Sequence, residues 1–282
     1  MNQAILEKTI EHVSVKLDDK GRDKMYKIVF IDIDGTLVNE DKIVSNETKA
    51  AIKQLQQSRV EVVLSTGRPP YHFSALAREL GIHSYVSFNG AYVCYRGKGV
   101  KSFTMNKVYI QRLVELSSEH GHPLVFLDNE KAVCNEENHP HIIQSFNDLK
   151  LAYAPKCNPD FWRETELFQM MLYCQKHEER LYHEQMSELS LVRWHEYALD
   201  VMPAHVSKAV GIHYLLHYLD ISPDAAVAIG DGLNDKEMLA YVGMGVAMGN
   251  AHPDLMEHAN MITKDVNHDG VSFALKKLRL IT

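Results

Sequence analysis

From Met25 onward the chain alternates between short apolar runs and mixed polar segments. Runs such as IVFI (28–31) are typical of strands buried in a parallel sheet, whereas apolar residues three or four positions apart predict helices. The first elements predicted are a strand at 26–32, a helix at 45–58 with Ser45 as its N-cap, a strand at 60–65, a helix from Arg68-Pro69-Pro70 to about Leu80, and a strand at 84–88. This β-α-β-α-β order predicts a parallel sheet with helices on its faces.

The alternation stops after Asn89-Gly90, where two apolar stretches flank the turn sequence RGKG and predict a hairpin. The next elements predicted are helices at 106–120, 140–149 and 176–188 and strands at 123–128, 131–135, 167–174 and 191–203. The parallel-sheet pattern then resumes with a helix at 206–219, a strand at 225–230, a helix at 234–242, a strand at 245–249 and a helix at 271–279. We therefore predict an α/β fold in which an α+β domain (91–200) interrupts a split domain (25–90 and 201–282), after an N-terminal extension (1–24) of unknown role.

Composition and charge narrow the possible function classes. Of the 282 residues, 45% are hydrophobic and 24% are charged, which is typical of a globular protein rather than a disordered one. The net charge of −7 argues against a dedicated nucleic-acid binder, which would carry a basic face. No apolar run is long enough to span a membrane, and residues 1–24 lack the apolar centre of a signal peptide. Because no CxxC pair occurs, we expect reduced thiols and a cytoplasmic protein without a membrane partner.

Two acidic pairs follow two of the predicted strands. Asp32 and Asp34 end the first strand, and Asp231 and Asp235 follow the first strand after the insertion, in the sequence GDGLND. In a Rossmann-like doubly wound sheet with strand order 3-2-1-4-5, these strands are neighbours, and their carboxyl ends form the crevice where ligands bind. Crowded carboxylates raise one another's pKa values unless a cation holds them. Because Mg²⁺ prefers oxygen ligands and shares its remaining positions with phosphate, the two pairs predict a magnesium site.

Two further features lie at the same edge of the predicted sheet. Thr66-Gly67 follows the second strand, so that a hydroxyl and a backbone N–H can bind an anion there. Lys208 lies in the first turn of a helix, where its charge would balance the carboxylates and neutralise a bound phosphate. Each feature alone has a simpler interpretation, because Asp-Gly pairs are common in turns, threonine often caps a helix and most lysines are solvated. Their combination favours a binding site.

These residues together resemble a known family. FIDIDGTL, Thr66-Gly67, Lys208 and GDGLND are similar, in the same order, to the four motifs of the haloacid dehalogenase-like phosphatases. The insertion resembles the type C2 cap of the Cof-type subfamily, and STGR, FNGA and VAMGNA also recur there. The resemblance covers about 25–282. It implies a Mg²⁺-dependent phosphatase that hydrolyses small phosphomonoesters (sugar phosphates, nucleotides or phosphorylated cofactors) through an aspartyl-phosphate.

The resemblance also implies a role for each motif residue. Asp32 would be the nucleophile, and Asp34 would be the general acid and then the general base. The residues implied as metal ligands are Asp32, the backbone carbonyl of Asp34, Asp231 and, directly or through a water, Asp235. The groups implied to surround the phosphoryl oxygens are the backbone amides of Ile33 and Gly67 and the side chains of Thr66, Lys208 and Asn234.

Three alternatives share part of this chemistry. P-type ATPases also form an aspartyl-phosphate, but they carry DKTGT and need membrane helices, whereas this chain has DIDGT and none. A phosphomutase is a closer rival, although such members of the family more typically carry a helical cap directly after the first motif, where this chain has only the short segment 37–44. A third alternative is a catalytically idle sensor of phosphorylated metabolites.

The expected partner is a small phosphorylated metabolite, not a nucleic acid. The inserted domain should close over the cleft and select the substrate, with hinges near Asn89–Tyr92 and His195–Pro203. The sequence names neither the substrate nor the oligomeric state.

Overall fold

The structure, a computed structural model, describes residues 25–151 and 153–282. Its strands, in chain order, are β1 (Ile28–Ile31), β2 (Glu61–Ser65), β3 (Tyr85–Ser87), β4 (Tyr92–Tyr95), β5 (Lys98–Ser102), β6 (Leu124–Leu127), β7 (Ala132–Cys134), β8 (Lys156–Cys157), β9 (Gln169–Tyr173), β10 (Leu189–Arg193), β11 (Ala198–Pro203), β12 (Ala226–Gly230), β13 (Met244–Ala247) and β14 (Met261–Ile262). Its α-helices are α1 (Asn46–Gln57), α2 (Pro70–Glu79), α3 (Lys107–Glu119), α4 (Pro140–Asp148), α5 (Phe161–Glu164), α6 (Glu179–Gln185), α7 (Lys208–Tyr218), α8 (Lys236–Tyr241), α9 (Pro253–Met256) and α10 (Gly270–Lys277).

The first sheet has eight strands in the order β14-β13-β12-β1-β2-β3-β4-β5. Strand β1 pairs in parallel with β12 on one side and with β2 on the other. The predicted order 3-2-1-4-5 is therefore confirmed, with β12 and β13 as the fourth and fifth strands. This order brings the segments that follow β1 and β12 side by side, although about two hundred residues separate them in sequence.

Strand β1 lies at the centre of this sheet. All four of its residues are fully buried, which explains why the segment is apolar without interruption instead of alternating. Helix α1 covers one face with Ala51, Ile52 and Leu55. Ser45 caps that helix, as predicted, because its side chain accepts a hydrogen bond from the backbone N–H of Thr48.

The second sheet has six strands in the order β10-β11-β9-β6-β7-β8 and is antiparallel except for the pair β7–β8. One face packs against α3, where Ile110 and Leu113 join a buried cluster with Phe126 of β6. Side chains of the other face, such as Met171, cluster with Phe88 at the end of β3. The second sheet therefore lies against the edge of the first sheet where β3 ends.

Two predicted elements differ from the structure. The hairpin β4–β5 was predicted to belong to the insertion, but β4 pairs antiparallel with β3, so the hairpin extends the first sheet. The segment 191–203 was predicted as one strand, but it contains most of β10, a turn, and β11, which pairs antiparallel with β10. The prediction for residues 1–24 lies outside the described residues. No helix of the described part is long and apolar enough to cross a membrane.

Candidate active site

Three aspartates meet at the carboxyl ends of β1 and β12. Ile31 and Ile229 are paired across these strands, and the backbone N–H of Asp32 donates a hydrogen bond of 2.9 Å to the carbonyl of Ile229. One carboxylate oxygen from each of Asp32, Asp231 and Asp235 lies within 4.8 Å of the other two. The structure thus brings the two acidic clusters of the sequence together.

A buried lysine joins two of these carboxylates. Nζ of Lys208 donates a hydrogen bond of 2.6 Å to Oδ1 of Asp32 and another of 2.6 Å to Oδ1 of Asp235. The lysine is only 1% exposed. Burial opposes its charge, but the two carboxylates outweigh burial, and the pKa of Lys208 is raised. Lys208 is therefore held in place by two ion pairs.

Asp235 has both of its carboxylate oxygens engaged within the protein. Oδ1 accepts from Lys208, and Oδ2 accepts backbone N–H groups of Asp231 and Gly232, each at 3.0 Å. These bonds hold the loop after β12 in shape. Asp235 therefore orients the loop after β12.

Asp231 is positioned by two residues of the DGT segment. The hydroxyl of Thr36 donates a hydrogen bond of 2.8 Å to Oδ1 of Asp231. The Oδ2 atom lies against the backbone of Gly35, where an added Cβ would be 2.1 Å from it, and Gly35 has φ +77°. Both the space and the backbone angle therefore require glycine at position 35.

The electrostatics of this cluster favour a cation. Burial, and then the neighbouring Asp235, raise the pKa of Asp231 to about 6, although the hydroxyl of Thr36 opposes the rise. Burial also raises the pKa of Asp32; Lys208 lowers it, and the two other aspartates raise it further. Three carboxylates face one lysine, so the cluster carries excess negative charge when ionised. Among the described residues no hydrogen bond is directed to Oδ2 of Asp32 or of Asp231, and two such free oxygens suit Mg²⁺.

The family follows from a comparison with known proteins. A sequence model described as haloacid dehalogenase-like hydrolase matches residues 29–275. The chain belongs to the haloacid dehalogenase-like hydrolases. The resemblance drawn from the motifs is therefore confirmed.

Relatives of this hydrolase cover almost its whole length. The Bacillus subtilis protein YkrA, named as a candidate phosphatase, is 38% identical over 255 residues, which are 90% of this chain and 98% of YkrA. The solved structure of BT1666 from Bacteroides thetaiotaomicron, described among phosphatases of the superfamily, has a TM-score of 0.85 at 28% identity and covers 95% of this chain and 100% of that chain. The structure of the sugar phosphatase BT4131 has a TM-score of 0.82 at 25% identity and covers 90% of this chain and 100% of that chain. The hydrolase is therefore an enzyme of a family that includes phosphatases.

Asp34 lies outside the buried cluster of this hydrolase and is held by two cations. Nε of Arg68 donates a hydrogen bond of 2.6 Å to Oδ2, and Nζ of Lys42 donates one of 2.7 Å to Oδ1. Burial raises the pKa of Asp34, but Arg68 and then Lys42 outweigh burial, so that the pKa is lowered overall. Neither cation was predicted to be a site residue. The signal for Arg68 was present in STGR, directly after the Thr66-Gly67 pair.

The residues predicted to bind phosphate lie around this edge of the sheet. Thr66 and Gly67 follow β2, and the hydroxyl oxygen of Thr66 accepts the backbone N–H of Arg68 at 3.1 Å. Ile33 is fully buried directly after Asp32. Asn234 lies in the loop after β12, and its amide is bonded to Asn89, which was predicted as part of FNGA and of a hinge but not as a site residue.

A cavity of about 380 Å³ opens from this edge toward the second sheet. On the side of the first sheet it is lined by Lys208 and Asn234, and on the side of the second sheet by Ser190 of β10 and Met202 of β11. Its volume is within the range of small-molecule sites, which begins near roughly 300 Å³.

Proposed function

We propose that this hydrolase is a Mg²⁺-dependent phosphatase that releases inorganic phosphate from small phosphomonoesters through an aspartyl-phosphate on Asp32. The observation that carries the proposal is the buried cluster of Asp32, Asp231 and Asp235 around Lys208. A nucleophilic carboxylate, an acidic cluster that could hold Mg²⁺ and a fixed lysine are components that phosphoryl transfer needs at one point.

The proposed metal site uses the oxygens that hydrogen bonds leave free. Asp32, Asp231 and the backbone carbonyl of Asp34 would hold Mg²⁺, while Asp235 orients the loop and contacts the ion directly or through a water. When bound, the ion would screen the repulsion between the carboxylate of Asp32 and an anionic phosphate. The raised pKa values of Asp32 and Asp231 support this assignment, because a cation is what would favour the ionised forms.

In the first step, Asp32 attacks phosphorus. Lys208 fixes the position of this carboxylate by its hydrogen bond to Oδ1. One carboxylate oxygen forms the bond to phosphorus, and the other would remain with the ion. As the new oxygen–phosphorus bond forms, the bond from phosphorus to the leaving oxygen breaks, and Asp34 donates a proton to that oxygen. Lys208, Thr66, Asn234 and the adjacent backbone amides stabilise the charge on the phosphoryl oxygens.

In the second step, Asp34 accepts a proton from a water whose oxygen attacks phosphorus. The bond between Asp32 and phosphorus breaks, inorganic phosphate leaves, and both carboxyl groups return to their starting states. The lowered pKa of Asp34 keeps its carboxyl group ionised, which is the form that can accept this proton. The acid role of the first step is therefore the one more sensitive to Arg68 and Lys42.

The substrate class follows from the size and position of the cavity. Its volume of about 380 Å³ suits a sugar, nucleoside or cofactor fragment. The likeness to a sugar phosphatase supports the same class. We place the reaction in the cytoplasm, in keeping with the four free cysteines, and assign the choice of substrate to the inserted domain.

The test is turnover of an aryl phosphate by the purified protein. We expect phosphate release with Mg²⁺, loss of release with a chelator, and recovery when Mg²⁺ is added back. Asp32→Asn should abolish release, whereas Asp254→Asn, at an aspartate whose side chain is 74% exposed, should leave it unchanged. Phosphate release by Asp32→Asn at the wild-type rate would overturn the proposal.

Two rival functions give different results in the same experiment. A phosphomutase would return the phosphoryl group to a sugar and release little inorganic phosphate. A sensor would bind phosphorylated metabolites without turnover. A panel of phosphorylated metabolites, assayed for inorganic phosphate and for transferred phosphoryl groups, separates the three.

A further inference from the structure

A hydrogen-bonded chain of three polar side chains, those of Asn234, Asn89 and Asp200, links the second sheet to the loop after β12. Nδ2 of Asn234 donates a hydrogen bond of 2.9 Å to Oδ1 of Asn89. Nδ2 of Asn89 in turn donates one of 3.1 Å to Oδ2 of Asp200, on β11. The two bonds span 145 and 111 residues of sequence, so they join parts of the chain that only the fold brings together.

The middle of this series of hydrogen bonds is buried. Asn89 is 4% exposed and Asp200 is 9% exposed. Oε1 of Gln169, on β9, lies 3.4 Å from the same nitrogen of Asn89 and offers a second, longer acceptor. Because a buried amide that loses its acceptor pays the full cost of desolvation, Asn89 depends on these two residues of the second sheet.

Asn89 also contacts the segment that is proposed to bind phosphate. Its backbone N–H donates a hydrogen bond of 3.0 Å to the carbonyl of Thr66. Its side-chain amide packs against Gly67, where an added Cβ would be 2.9 Å from Nδ2. The residue has a left-handed backbone, with φ +51°, at the point where the chain leaves β3. Asn89 therefore contacts the second sheet and both segments that are proposed to bind phosphate, Thr66-Gly67 and the loop that carries Asn234.

The acceptor on β11 decides which way the Asn89 amide points. A carboxyl oxygen that carries no proton can only accept a hydrogen bond, and Oδ2 of Asp200 accepts one from Nδ2 of Asn89, so Asp200 selects the nitrogen of that amide. The oxygen is then directed to Asn234, which needs an acceptor. With an apolar side chain at position 200, nothing but the longer contact to Gln169 would hold the amide, and Asn234 would lose its fixed partner.

We propose that Asp200 is a positioning residue for the phosphatase reaction: it orients Asn89, and through Asn89 it holds the Asn234 side chain beside the phosphoryl group. The inference rests on the proposed function of the same site. It also means that the loop is complete only when β11 lies against Asn89, so the reaction depends on the seating of the second sheet.

The test is a double-mutant cycle on kcat. Asp200→Val, which fits a strand and removes the acceptor, should lower kcat about tenfold, as for one hydrogen bond used in the transition state, with a smaller change in KM. Asn89→Ala should lower kcat by a similar factor. The double variant should be no slower than Asn89→Ala alone, because both changes break the same chain. Asp200→Asn keeps an acceptor oxygen and should stay within about threefold of the wild type.

The matched control is Ser145→Ala. Ser145 is a buried side chain that hydrogen-bonds Tyr173 of the second sheet at 2.8 Å and lies outside the chain of three residues. The Ser145→Ala substitution should not change kcat. The inference is overturned if the effects of Asp200→Val and Asn89→Ala multiply, if Asp200→Asn is as slow as Asp200→Val, or if Asp200→Val has the wild-type kcat.

Two further measurements distinguish a failure of the role of Asp200 from misfolding of a variant and from a failure of the proposed function. Thermal melting of each variant shows whether it folds, and Asp200→Ala replaces Asp200→Val if the larger side chain prevents folding. Asp32→Asn is assayed alongside: if that variant retains turnover, the proposed function fails. If it is inactive while the cycle is multiplicative, only the role of Asp200 fails.

Discussion

The ammonium group of Lys208 and the carboxylate of Asp32 form an ion pair of 2.6 Å in the interior of the protein. Lys208 holds Asp235 in the same way. A buried pair is costly to desolvate, and its loss on one side leaves an uncompensated charge. The pair therefore places a strong electrostatic constraint at the point where phosphoryl transfer is proposed.

The first prediction concerns this lysine. Lys208→Met should lower the free energy of unfolding by about 3–5 kcal/mol in the absence of a metal, because buried carboxylates lose their partner. Mg²⁺ should restore part of the loss. Urea denaturation with and without Mg²⁺ measures both effects. Lys276→Met, at a lysine whose ion pair with Glu47 is half exposed, is the control and should change little; equal losses in the two variants would contradict the prediction.

The second prediction concerns the cations on Asp34. Arg68 and Lys42 favour the ionised carboxylate, so Arg68→Ala should raise the pKa of Asp34. The limb of the pH profile of kcat/KM that follows Asp34 should then move to higher pH. Lys42→Ala should move the same limb by a smaller amount, since Arg68 makes the larger contribution. Superimposable profiles for the wild type and both variants would show that Asp34 does not control the rate.

The third prediction concerns Gly35. Alanine at this position would place Cβ 2.1 Å from Oδ2 of Asp231 and would displace that carboxylate. We expect the Mg²⁺ concentration for half-maximal activity to rise at least about tenfold, because one ligand is moved. Gly97→Ala is a matched control: Gly97 has a similar φ of +79° but nothing within 4 Å of the added Cβ. Magnesium titrations of activity compare the two, and the idea fails if both variants shift alike.

The fourth prediction concerns the pH dependence of stability at Asp200. Burial raises its pKa to about 7 in the folded protein, although the amides of Asn89 and Gln169 oppose the rise. In the unfolded chain the carboxyl group of Asp200 ionises near about pH 4, whereas in the folded protein it stays protonated up to about pH 7. Between these two pH values the contribution of Asp200 to stability therefore falls as pH rises. The asparagine side chain of Asp200→Asn does not ionise, so this variant does not lose stability in this way as pH rises.

The difference in unfolding free energy between Asp200→Asn and the wild type should therefore grow in favour of Asn from about pH 4 to about pH 7, by about 1.4 kcal/mol for each step of one in pH. Urea denaturation over this pH range measures it. Asp254→Asn, at an exposed position, is measured alongside as the control variant. A difference for Asp200→Asn that stays constant over this pH range would contradict the prediction.

Much of the fold could be predicted because its elements depend on local patterns. The apolar run of β1 and the capped helix α1 have their signals within a few residues. The hairpin β4–β5 was predicted as a hairpin but assigned to the wrong sheet, since its pairing with β3 is a tertiary contact. The turn between β10 and β11 was missed because its residues, Trp194–Tyr197, contain no glycine or proline.

Part of the candidate site could likewise be predicted from local patterns, and part depended on tertiary contacts. The acidic pairs were visible because they follow buried strands directly. Arg68 was visible as a letter in a motif but not as a partner of Asp34, 34 residues away. Asp200 gave no signal at all, because an aspartate in a strand is also compatible with a solvated position.

The amino-acid sequence by itself determined which segments form strands and helices and which chemical groups stand at their ends, because these properties arise between near neighbours along the chain. Only the tertiary structure decided which of these groups pair: Lys208 with Asp32 and Asp235 and Arg68 with Asp34 as ion pairs, and Asn89 with Asp200 through a hydrogen bond. The physical reason is the short range of these interactions. A hydrogen bond acts over about 3 Å, and distant residues come within that distance only after the sheets have packed.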